Sequence, residues 1–135
     1  MNEEMVTAIK GFLIDRIDPD FIMLFGSQAT GNIHPNSDVD LAFYKENHGL
    51  SAYDIFILAQ ELSEITKTSV DLIDLNEAST VFKTQIFSTG IPIYTLNQVR
   101  LDHFRMNAMS MYANLDVERR EILKSIVESG TIYGS

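Results

Sequence analysis

The chain contains no cysteine, which excludes a disulfide framework, a thiolate metal site and a thiol nucleophile. It is also short of basic residues: ten Lys and Arg stand against nineteen Asp and Glu, a formal net charge of -9. Extended nucleic-acid binding rests on lysines and arginines that neutralise phosphates, so no stable nucleic-acid complex is expected. A small anionic substrate is compatible with this balance, provided a metal supplies the missing positive charge. No apolar run approaches the roughly 20 residues of a membrane span, so no membrane partner is expected. The first residues, Met1-Asn2-Glu3-Glu4, are acidic where a signal peptide would be basic, and the expectation is a cytoplasmic protein. Internal repeats, linkers and low-complexity segments are absent as well.

What is present reads as one ordinary globular domain: 135 residues, 45% hydrophobic and 21% charged, enough for a single core. Residues 2–18 place Met5, Ile9, Phe12, Leu13 and Ile17 at helical spacing, with Glu3 and Glu4 in the first turn and Pro19 as the stop. The apolar run FIMLF (21–25) before Gly26 has the length of a buried strand. DVDLAFY (38–44) alternates, with Val39, Leu41 and Phe43 on one face and Asp38, Asp40 and Ala42 on the other, and reads as a half-buried strand. A helix is expected over 52–65, a third strand over SVDLIDL (69–75), and a helix from an Asn76 N-cap through Phe87, closed by Gly90. IPIYT follows as a strand that Pro92 assigns to a sheet edge. Two helical patterns, 97–114 and 116–129, end the chain, with Gly130 as the stop. The fold class is therefore α+β (α/β): a small mixed sheet flanked by helices, with a C-terminal helical pair. One domain spans 1–135, its core over 19–95 and its C-terminal helices over 97–130.

The stretch that carries chemistry is FGSQATGNIHPNSDVD, from Phe25 to Asp40. Gly26 and Ser27 stand at a strand-to-helix junction, where backbone N–H groups bind phosphate, glycine permits close approach and a serine hydroxyl adds a donor. Asp38 and Asp40 share one face of their strand, so their carboxylates can hold a divalent cation together. Two such acids repel each other unless something positive sits between them. Asp71 in the following strand is the best candidate for a third carboxylate. Asp74, three residues on, would point to the opposite face.

This combination, a Gly-Ser pair, ten residues, Asp-Val-Asp and a later strand carrying Asp71, resembles the nucleotidyltransferase superfamily of the DNA polymerase beta type. More narrowly, GSQATGNIHPNSDVDLAF is similar to the minimal nucleotidyltransferases, MNT or MntA, that act as antitoxins in HEPN/MNT toxin-antitoxin systems; the motif resemblance covers residues 21–75. It implies that Gly26 and Ser27 bind the triphosphate of ATP, that Asp38 and Asp40 hold two Mg2+ ions, and that Asp71 holds only the ion that activates the attacking hydroxyl. The implied reaction is AMP transfer from ATP to a tyrosine of a HEPN ribonuclease toxin, HepT, which silences it. Many relatives carry arginine just after the Gly-Ser pair, where this chain has Gln28 and Thr30.

Two further readings stand beside this one: a nucleotidyltransferase acting on a small hydroxylated molecule, and a catalytically silent antitoxin that blocks its toxin by contact. His34 reads as a loop-shaping residue, and His48 shows no partner. Met106, Met109 and Met111, with Tyr112 and Leu115, read as helix packing, and Arg100, Arg105, Arg119 and Arg120 as a solvated face.

Overall fold

In the computed structural model, which describes residues 3–30 and 38–129, the run Phe21–Phe25 forms strand β1 in the middle of a sheet. The elements in chain order are α1 (Glu3–Ile17), β1, α2 (Ser27–Thr30), β2 (Val39–Tyr44), α3 (Ala52–Thr66), β3 (Val70–Asp74), α4 (Thr80–Thr89), β4 (Ile91–Thr95) and α5 (Gln98–Ser129). The sheet order is β3-β2-β1-β4. β1 runs antiparallel to both neighbours, whereas β2 and β3 are parallel, because α3 carries the chain back to the starting end of the sheet between them. Pro92 does lie on an edge strand, opposite Met23 beside an irregularity in the ladder.

Two apolar layers follow from the alternation along the strands. Val39, Leu41 and Phe43, all fully buried, face α1 and α3 together with Ile22 and Leu72. Phe21, Met23 and Ala42 face α4 and α5 through Ile86, Phe87 and Leu101. β2 is thus covered on both faces at its middle, where alternation alone predicted a half-buried strand; Ala42 is as inaccessible as its neighbours. Helix α1 stops as expected: Asp18 adopts φ 46 and Pro19 follows.

Two expectations are corrected. The N-cap of α4 is Ser79, whose hydroxyl accepts from the Phe82 N–H at 3.1 Å. Asn76 instead donates its backbone N–H to Asp74 Oδ1 (2.9 Å) and its amide to the Lys45 carbonyl (2.9 Å), which commits it to a turn. Gly90 does close α4, and a side chain there would run into the Ile86 carbonyl and meet the Leu24 carbonyl at 3.1 Å. The expected helical pair is one continuous helix of 32 residues. No glycine or proline interrupts Gln98–Ser129, and an Arg120–Asp116 ion pair of 2.9 Å, one turn apart, supports the turn just after the point where a break was expected. Gly130 lies outside the described residues. Among the described residues no helix is long and apolar enough to cross a membrane.

Candidate active site

The register of the sheet assembles the site. Asp40 lies opposite Asp71 across the parallel β2–β3 ladder and opposite Phe25 across the antiparallel β1–β2 ladder. Gly26, the next residue after Phe25, is therefore carried against the Asp40 side chain. Its φ of 74 lies in the left-handed region, and a Cβ there would collide with Asp40 Oδ2 and stand 3.1 Å from Cγ. Both backbone conformation and close approach thus require glycine at this position. α2 opens directly afterwards, with the Ala29 N–H donating to the Gly26 carbonyl at 3.2 Å. The Ser27 side chain and the spacer 31–37, which includes His34, lie outside the described residues.

Asp40 is half-buried, while Asp38 and Asp71 are exposed. Burial raises the Asp40 pKa from 3.8 to about 6, helped by the charge of Asp71, a side-chain hydrogen bond with Asp71 and the charge of Asp38. The ion pairs of the described residues tie Arg16, His48, Arg100 and Arg120 to other acids, never to these three. The structure thus brings Asp40 and Asp71 into contact, and Asp38 acts on them through its charge. Among the described residues no three acid or histidine side chains already converge in ligating positions. The donor set is nonetheless all-oxygen and crowded, with no ion pair to it among the described residues, and such a cluster fits a hard divalent cation, which would remove the repulsion.

Asp74 points away from this cluster, as alternation predicted, and is buried. It has a partner the sequence did not disclose. His48 Nε2 lies 2.7 Å from Asp74 Oδ2, both side chains being under 10% exposed, while His48 Nδ1 accepts from the Leu50 N–H at 3.1 Å. That second bond assigns the proton to Nε2, which donates to the carboxylate. The pair pins the loop after β2 to the end of β3 and is structural. The available signal was Asp74 itself, since a carboxylate on a core-facing strand position requires a partner.

The arginines divide. Arg100 bonds Asp20 and Glu46, each at 3.2 Å, whereas the Arg105 guanidinium lies 5.9 Å from the centre of the Phe87 ring. A cleft of about 470 Å³ beside Arg100 is lined by Tyr44, His103 and Phe104; Tyr44 ends β2, so this cleft lies at the other end of the strand from Asp40. Of the methionines expected to pack a helix, Met109 joins the core layer, but Met106 and Met111 are 68% and 46% exposed.

The polymerase beta nucleotidyltransferase family matches residues 7–99. The protein adenylyltransferase MntA of Shewanella oneidensis is 35% identical over 106 residues, 78% of this chain and 75% of that protein. A solved toxin-antitoxin complex with AMP-PNP contains a chain that is 33% identical and superposes with a TM-score of 0.78, over 94% of this chain and 99% of that one. The complex of a tri-AMPylated Shewanella oneidensis HEPN toxin with its MNT antitoxin gives a TM-score of 0.78 at 30% identity, over 94% and 99% of the two chains. Glycine against a strand-borne carboxylate, a second carboxylate on the neighbouring strand and these likenesses lead to one assignment: the chain belongs to the polymerase beta nucleotidyltransferase family, in its MntA protein adenylyltransferase group.

Proposed function

We propose that this protein is an antitoxin that transfers AMP from ATP to a tyrosine of a partner HEPN toxin of the HepT type and thereby silences it. The observation that carries the reading is the meeting of Gly26, Asp40 and Asp71 at one end of the sheet, in a chain whose relatives are solved with an AMPylated toxin and with an ATP analogue.

Gly26 and Ser27 open α2 and present backbone N–H groups to the triphosphate. Asp38, Asp40 and Asp71 would hold magnesium, two ions in all, with Asp71 serving only the one beside the attacking oxygen. Magnesium held by these carboxylates would supply charge to neutralise the phosphates and would lower the pKa of the attacking hydroxyl from the usual tyrosine value of about 10. Asp40 sits between Gly26 and Asp71, so one carboxylate links the phosphate-binding turn to the acid that faces the acceptor. Its raised pKa in the bare cluster reflects burial first and then the charges of Asp71 and Asp38, a repulsion that a cation would relieve. The reaction belongs in the cytoplasm, where ATP is available.

Neutralisation in cells tests this. Co-expression of the wild type with its toxin should restore growth, whereas an Asp38→Asn, Asp40→Asn double variant should still co-purify with the toxin and fail to restore it. Equal protection by the double variant would show inhibition by contact instead.

A further inference from the structure

Helix α5 is far longer than the domain needs. Its 32 residues extend about 48 Å at the usual rise, yet its buried residues are Leu101 and Ala108, both in the first half. The apolar stripe that begins with Leu101, Phe104 and Ala108 does not stop there. It continues at three- and four-residue spacing through Met111 and Leu115 and, after Glu118 and Arg119, resumes at Ile122, with Tyr112 and Leu123 beside it. Met111 is 46%, Ile122 59% and Leu123 62% exposed. The face that packs on the sheet at one end of α5 is thus presented bare at the other. An uncovered helical stripe of this kind is the usual form of a helix-in-groove anchor.

Three observations bear on what covers it. The match to the nucleotidyltransferase family ends at residue 99, near the start of α5, so the exposed second half of the helix lies beyond the part of the chain that the family shares. The chains solved in complex with toxin match 94% of this one; α5 holds 32 residues, so that match must take in most of it. Finally, α5 carries five basic and five acidic residues, so the whole formal charge of -9 resides on the rest of the chain. No net charge guards the stripe against an apolar partner.

We infer that the second half of α5, through Met111, Tyr112, Leu115, Ile122 and Leu123, is the docking surface for the HEPN toxin, holding it while the Asp40–Asp71 end of the sheet acts on its tyrosine. This rests on the functional reading above, and the test separates the two by measuring binding apart from labelling. The probe is the purified HEPN toxin of the HepT type that the functional reading assigns as partner. Its affinity for the immobilised full-length protein is measured by biolayer interferometry without ATP, for the wild type, an Ile122→Asp, Leu123→Asp double variant and Val117→Asp. Val117 is 49% exposed and off the stripe, so its variant controls for a charge added to the same helix. All substituted side chains are exposed, and circular dichroism checks that the fold is kept.

The double variant should weaken toxin binding by about tenfold or more, as loss of central apolar anchors does, and Val117→Asp by no more than about twofold. Added ATP and saturating toxin should restore labelling by the double variant. Unchanged affinity in the double variant, equal loss in Val117→Asp, or a wild-type dimer that the double variant splits while toxin affinity stays constant would each overturn the assignment. Binding without labelling by the wild type would defeat the transferase reading and leave the docking surface standing.

Discussion

The carboxylate of Asp40 occupies the space that a side chain on Gly26 would need. Because Gly26 also sits at φ 74, replacing it with alanine brings backbone strain and a collision with the central acid of the site together. Gly26→Ala should cost about 1–3 kcal/mol in urea unfolding and lower AMP transfer by on the order of 10²-fold. Stability loss without loss of transfer would show that the contact is only structural.

Without metal, Asp40 should make the fold sensitive to pH in a defined direction. Its folded pKa of about 6 lies above the ordinary 3.8, so the folded state binds the proton more tightly than the unfolded state. Stability from this group is therefore greatest when Asp40 is protonated and is lost as pH rises through about 4 to 6, with no further change above. In EDTA at about pH 8, Asp40→Asn should be more stable than the wild type by about 1 kcal/mol, a figure kept small for solvent screening. The difference should vanish near pH 4, and magnesium should stabilise the wild type alone. Parallel pH profiles of the two proteins would refute the electrostatic account of the cluster.

Asp71 and Asp40 should separate by role. With Asp71 serving the acceptor side, Asp71→Asn should lower the transfer rate by on the order of 10²-fold while leaving magnesium-ATP affinity within about threefold. Asp40→Asn should lose both. Isothermal titration with a non-hydrolysable ATP analogue distinguishes them, and equal loss of affinity in both variants would contradict the division.

His48→Ala leaves the Asp74 carboxylate buried without its donor at 2.7 Å. The expected cost is about 2–3 kcal/mol in urea unfolding, the range for a hydrogen bond to a charged group. Transfer at a temperature where the variant is folded should persist, because Asp74 faces away from Asp40 and Asp71. A specific loss of transfer with unchanged stability would give the pair a functional role.

Part of the site was legible because strand periodicity is strict: alternation alone set Asp71 and Asp74 on opposite faces, whereas Asp38 precedes β2 and acts on Asp40 through its charge. The need for glycine at position 26 was legible only as a turn, since its contact with Asp40 depends on the β1–β2 register. The His48–Asp74 bond joins residues 26 positions apart, a separation that local patterns do not reach. The two helical patterns after residue 97 are one helix because no glycine or proline breaks the backbone between them, and the polar residues around Leu115 change only the local composition. Asp116 even strengthens that stretch through Arg120. The exposure of the second half of α5 follows from the size of the sheet beneath it, which no local pattern contains.

Under the proposed function, Asp38 and Asp40 serve the transfer of AMP to a HEPN toxin. The most direct measurement is the intact mass of that toxin before and after incubation with ATP, magnesium and either the wild type or the Asp38→Asn, Asp40→Asn variant. Mass gained in whole AMP units with the wild type alone, mapping to a tyrosine, is the predicted result. An unchanged mass, with the toxin bound and inhibited by both proteins, would contradict it.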